Sequence, residues 1–153
     1  MVANLADMTA RSGPHPAAVL LDTCALIWLG NRSPIAAEAW KDIRHAGLAD
    51  GVFVSPVSAW EIGLLAAAAK VANPFAPNAN AWFAQMMSAP GIRPAALTPD
   101  IAIDSAVLPG AFHRDPADRL LVATARAMNI PLVTRDSKIL AYAAAGHVAA
   151  IAC

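Results

Sequence analysis

Charge is scarce in this 153-residue chain: 14% of residues are Asp, Glu, Lys or Arg, and eleven acids cancel eleven bases. That balance excludes the strongly basic surface that advertises a nucleic-acid partner by net charge alone. Cysteine is nearly absent. Cys24 and Cys153 make neither a metal spacing nor a disulfide framework, which is compatible with a reducing cytoplasm. No apolar run reaches the roughly 18 residues of a membrane span; the longest candidate, residues 17–29, is interrupted by Asp22 and Thr23. Residues 1–16 lack the basic start and apolar core of a signal peptide and read as a mobile tail. There is no Walker-type glycine loop and no GxGxxG, so no nucleotide cofactor is expected.

What is present is an alanine-rich, 58% apolar chain long enough for one domain, expected over residues 17–153. The run AAVLL, ending at Asp22, does not alternate and suits a strand buried on both faces. Further strands are expected at 52–54, 92–97 (an edge, because of Pro94), 130–134 and 148–152. Ser33-Pro34, Ser55-Pro56, Thr98-Pro99 and Asp115-Pro116 each pair a capping side chain with a proline, the pattern of a helix start. The first begins a helix expected to bury Ile35, Ala39, Ile43 and Ala46, to leave Asp42 on its polar side and to stop at Gly47. Strands alternating with helices imply a three-layer α/β/α sandwich around a central, mostly parallel sheet.

In such a sheet ligands bind at the carboxyl edge of the strands, and the acids collect there. Asp22 follows the first strand, Asp115 and Asp118 begin a helix, and Asp136 follows the fourth strand. Each has an ordinary explanation as a helix cap; Asp115 with Asp118, and Ser58 with Glu61, have capping-box spacing. Glu61 resists that explanation most. It sits between Trp60 and Ile62 in a nearly apolar helix, on a face shared with Val57, Leu64, Leu65 and Ala68, so partial burial is expected. Clustered carboxylates without a cation raise one another's pKa. With no His or Cys at metal spacing, an all-oxygen set favours Mg²⁺ or Mn²⁺ over zinc. His113 adjoins the rim but reads as a loop-surface residue. Trp28, Trp40, Trp60 and Trp82 read as core or interface. Residues 113–138 carry five bases against three aspartates, a bias consistent with phosphate contacts beside an acidic centre.

The words LLDTCALIWL (20–29), VSPVSAWEIGLL (54–65), FHRDPADRLLVATA (112–125) and LVTRDSKIL (132–140) together resemble the PIN-domain ribonucleases, specifically the VapC-like toxins of bacterial toxin–antitoxin pairs. The resemblance spans about residues 17–152. By position it implies that Asp22, Glu61, Asp118 and Asp136 are the metal-binding acids, with Asp115 an adjacent rim acid, either a further ligand or mainly a helix cap. It also implies Mg²⁺- or Mn²⁺-dependent endonucleolytic cleavage of RNA, a homodimer, and inhibition by a cognate antitoxin whose tail occupies the groove near the site. Two positions depart from close relatives. Cys24 stands where they often have His, and the helix after Glu61 ends AAAAK, leaving Lys70 as its main candidate RNA contact.

The expected activity is therefore hydrolysis of RNA phosphodiester bonds by metal-activated water, with Thr23, Thr134, Arg114, Arg119 and Arg135 as candidate substrate contacts. The alternative is a non-catalytic α/β signalling or protein-binding module with an acidic metal-binding rim. A phospho-accepting receiver would need paired acids after the first strand, but Asp22 is followed by Thr23-Cys24. A small-molecule phosphatase would need a second Asp after Asp22, and none stands there.

Overall fold

The computed structural model describes residues 13–69 and 73–153. Lys70 and residues 1–12 of the expected tail lie outside them. The elements run β1 (Ala18–Leu21), α1 (Thr23–Gly30), α2 (Ala37–Leu48), β2 (Gly51–Val54), α3 (Pro56–Ala68), α4 (Ala79–Ser88), β3 (Ile92–Pro94), α5 (Pro99–Ala106), α6 (Pro116–Met128), β4 (Leu132–Thr134), α7 (Ser137–Ala144) and β5 (Ala150–Ala152). All strand pairs are parallel, in the order β3-β2-β1-β4-β5.

The central strand shows why the sheet is a middle layer. Val19 and Leu21 pack into one core with Ala25, Leu26, Ile43, Ile62 and Trp82, whereas Leu20 enters the other with Ile101, Leu121, Ile139 and Tyr142. Strand β4 repeats the division, Val133 to the first core and Leu132 to the second. Alternating faces that are both apolar are what a sheet covered on two sides requires. This is the expected three-layer sandwich.

Strand order reverses direction at β1, with β2 on one side and β4 on the other. That creates a topological switch point, and in open α/β sheets ligands bind there, beyond the carboxyl ends of the strands. Helix α6 reaches the same edge from the other side of the connection. It leads into β4, so its first turn lies where β4 ends.

Several local expectations fail for identifiable reasons. Ser33-Pro34 does not start α2; the Ser33 N–H bonds the Trp28 carbonyl at 2.8 Å, and Arg32 takes φ +56°. Those residues close α1, and α2 begins at Ala37 without a side-chain cap. Gly47 does not end that helix. It admits Gly91 (φ +82°), at which a Cβ would overlap the Gly47 carbonyl oxygen. Asp42 is buried rather than solvent-facing, with His15 Nδ1 2.7 Å from its Oδ1. Helix α3 turns Val57, Ser58 and Ile62 inward, with Ala66 packed on the same core, and leaves Trp60, Leu64 and Leu65 exposed. Among the tryptophans Trp82 is buried, held by Phe75 edge-on and by an Nε1–H bond to Asn31.

Candidate metal centre

Five carboxylates come to the switch point from four parts of the chain. Asp22 follows β1 directly and caps α1, its Oδ1 accepting the Ala25 N–H at 2.7 Å. Its Oδ2 accepts a hydrogen bond from the Thr134 hydroxyl. Asp136 follows β4 and caps α7, accepting from Lys138 and Ile139 N–H at 2.8 and 3.0 Å. Asp115 caps α6, its Oδ1 accepting from Ala117 and Asp118 N–H at 2.9 and 3.2 Å, and this places Asp118 in the first turn. Glu61 is carried one turn into α3. Capping and site-building are thus the same act at Asp22 and Asp136, since a cap fixes one carboxylate oxygen and aims the other.

Glu61 shares no capping box with Ser58. Ser55 caps α3 instead, accepting from Val57 N–H at 3.1 Å. Glu61 Oε1 accepts from Thr23 Oγ1 at 2.5 Å, and the buried Ser58 hydroxyl lies 3.0 Å from the same Thr23 oxygen. Thr134 does the matching work on the other side, donating to Asp22 while accepting the Asp136 N–H at 3.0 Å. Both threonines are buried. Their hydroxyls are taken up by the acids and by the Asp136 backbone.

The electrostatics record how close the acids are. Burial, then Asp115, Asp136, Glu61 and Asp22, push the Asp118 carboxyl up to about 7. Burial raises Asp22 as well, with Asp136 and Glu61 adding to it and the Thr134 and Ala25 bonds opposing it. Partial burial and then Asp22, Glu61, Asp118 and Asp136 raise the Cys24 thiol, so at this position a neutral, exposed S–H stands beside the acids.

The tightest donor group includes a residue that sequence reasoning left on the loop surface. His113, Asp118 and Asp136 offer ligand atoms that all lie within 4.8 Å of one another. His113 Nε2 is 3.0 Å from Asp118 Oδ2. A ring nitrogen thus stands next to the expected oxygens. The available signal was topological: His113 enters the helix whose first turn must lie at the rim. The donor chemistry and the mutual repulsion fit a divalent cation, held by Asp118 and Asp136 with Asp22 and Glu61 beside them.

Two of the arginine expectations are redirected. Arg119 Nε donates to the Ser105 carbonyl at 2.7 Å, and its other nitrogens donate to Ala106, Phe112 and His113 carbonyls at 3.1–3.2 Å. It clamps the loop entering α6. Arg135 lies over the Trp28 ring, 3.9 Å from its centroid, and donates to the Cys153 carbonyl at 2.8 Å. Arg114 is exposed and has no intramolecular partner among the described residues.

A parallel sheet of order 3-2-1-4-5 with acids gathered at its switch point defines a class, the open α/β proteins with an acidic rim at the strand ends. Within that class the chain belongs to the PIN-domain family, whose model matches residues 19–145. It is 33% identical over 122 residues to Ribonuclease VapC22 of Mycobacterium tuberculosis, covering 79% of this chain and 88% of that one. Its fold is similar to that of VapBC2 from Rickettsia felis, solved with a DNA fragment from its promoter (TM-score 0.65, 13% identity, covering 88% of this chain and 98% of that one). It is also similar to VapBC-5 from Mycobacterium tuberculosis (TM-score 0.57, 21% identity, covering 90% and 100%).

Proposed function

We propose that the protein is a VapC-like endoribonuclease, dependent on Mg²⁺ or Mn²⁺, that acts as the toxin of a toxin–antitoxin pair. The observation that carries this is the convergence of Asp22, Glu61, Asp118 and Asp136, far apart in sequence, on one edge where each raises the pKa of a neighbour. The bound ion would activate a water and offset the charge that develops on the scissile phosphate. The chain's own part is to hold four carboxylates ready, with Thr134 and Thr23 fixing their orientation and Arg114 reaching the RNA backbone. Asp115 starts the helix that aims Asp118. The signalling-module alternative has no support in the site, since Lys138 is exposed and meets Asp136 only through its backbone N–H.

We assign the cognate antitoxin to the apolar hollow of about 300 Å³ lined by Trp28, Leu29, Ile35 and Trp40, at the C-terminal end of the α1 that Asp22 caps. The exposed Trp60, Leu64 and Leu65 on α3 suit pairing of two copies. No described helix is long and apolar enough to cross a membrane, and we place the protein in the cytoplasm with its RNA substrate. The test incubates purified, antitoxin-free protein with labelled structured RNAs and Mg²⁺ or Mn²⁺, beside Asp22→Asn and Asp118→Asn. Metal-dependent cutting lost in both variants is expected. Cutting that survives both, or no cutting of any RNA, overturns the assignment.

A further inference from the structure

We propose that His113 is a direct nitrogen ligand of the cation, so that this centre prefers a borderline ion such as Mn²⁺ over the hard Mg²⁺. The inference rests on the metal-centre reading above and adds a donor to it. Three observations carry it. The first is placement: Nε2 shares a 4.8 Å grouping with oxygens of Asp118 and Asp136, close enough for one ion to touch all three. The second is that Nε2 is shut off from water and has no well-aligned hydrogen-bond partner among the described residues, even though Asp118 Oδ2 is 3.0 Å away. Contact at that distance needs a positive centre on the nitrogen's side, the ring's own proton in the ion-free protein or a cation in its place. A buried polar atom left alone is costly, so the fold must return something for it.

The third is delivery. The His113 ring is backed by Phe112, with ring centroids 4.4 Å apart, and Phe112 in turn meets Tyr142. The carbonyls of residues 112 and 113 are both gripped by Arg119, one turn into α6. The loop is thereby fixed to the helix that carries Asp118, and ring and carboxylate move as a unit. The Asp115 N–H donates to Nδ1 from 3.4 Å, longer than the usual range of about 2.7–3.2 Å and so a weak hold on the tautomer. Ion binding would move the ring proton from Nε2 to Nδ1 at the cost of that weak contact, and the Nε2 lone pair would turn to the ion.

Imidazole binds mid-series divalent metals well and Mg²⁺ poorly, whereas carboxylates serve both. Removing His113 should therefore cost one ion more than the other. The test loads the full chain with Mn²⁺ and records its electron spin echo modulation, which reports nitrogen bonded to the ion. Wild type should show an imidazole ¹⁴N coupling that changes to ¹⁵N in protein labelled at histidine, a control that needs no substitution. His113→Gln should lose the coupling. By calorimetry it should weaken Mn²⁺ binding on the order of tenfold while Mg²⁺ changes about twofold or less.

No histidine coupling in wild type, or one that persists in His113→Gln, overturns the proposal. So does an equal loss for both ions, which would mean that His113 only orients Asp118. If wild type binds no Mn²⁺, or Asp118→Asn binds it as tightly as wild type, the metal-centre reading falls, and this proposal with it.

Discussion

Thr134→Val is the sharpest probe of how the centre is built. Thr134 is fully buried at the end of β4, so no water replaces its hydroxyl. Valine keeps the shape and the strand preference, leaving only the lost polarity to measure. Two bonds go: the donation to the Asp22 carboxylate and the acceptance of the Asp136 N–H. A hydrogen bond to a charged group contributes about 1.5–3 kcal/mol and an orphaned N–H costs about 1 kcal/mol or more. The expected destabilisation is about 2–4 kcal/mol, or roughly 5–15 °C in melting temperature for a chain of this size. The sign with pH follows from Asp22. Its folded pKa already lies above its unfolded value, and losing the donor raises it further. Stability is then lost as pH rises from about 4, and the gap from wild type widens toward alkaline pH. Melts in EDTA across pH 5–8 read this, and Mn²⁺ titration should show weaker binding because both braced acids loosen. Thr134→Ser, which keeps the hydroxyl, should recover most of both. A valine variant that melts within about 2 °C of wild type, with unchanged Mn²⁺ affinity, would refute the bracing role.

Asp118, held at about 7 against an ordinary 3.8, binds its proton more tightly in the folded state, so metal-free protein should lose stability as pH rises from about 4 to 7. Mn²⁺ must displace that proton, so its affinity should fall about tenfold per unit below pH 7, read by calorimetry in buffers of different ionisation enthalpy. Arg119→Ala should lower stability by about 2 kcal/mol and open residues 106–115 to proteolysis, because four carbonyls lose their donor. Gly91→Ala should cost more than about 2 kcal/mol, since φ +82° and the Gly47 carbonyl both oppose a side chain. Gly63→Ala, where a Cβ meets nothing within 4 Å, should be neutral or stabilising in the same melt.

Local chemistry explains which features could be read in advance. The helix starts at Ser55-Pro56, Thr98-Pro99 and Asp115-Pro116 depend on a cap and the proline beside it, and all three are used. Ser33-Pro34 has the same letters and fails, because Trp28, five residues earlier, captures the Ser33 N–H. Helix α3 shows the limit of periodicity. Spacing predicts that Leu64 and Leu65 share a buried face with Glu61, but whether a neighbour covers that face is not a property of the helix. His113 was visible as a neighbour of the rim. Its loop carries no periodic signal, so nothing local said which way the ring would turn.

The amino-acid sequence alone determined the strand and helix alternation, the parallel three-layer architecture and the four acids expected at one edge. Those follow from burial patterns and capping residues that act over a few positions. Only the tertiary structure decided the partners. It turned Thr23 and Thr134 into braces, drew Arg119 and Arg135 onto the chain's own carbonyls, and set His113 nitrogen beside Asp118. The physical reason is one of range. A cap or an apolar stripe is satisfied within a turn of helix, whereas the bonds that aim Asp22 and Glu61 join residues 112 and 38 positions apart.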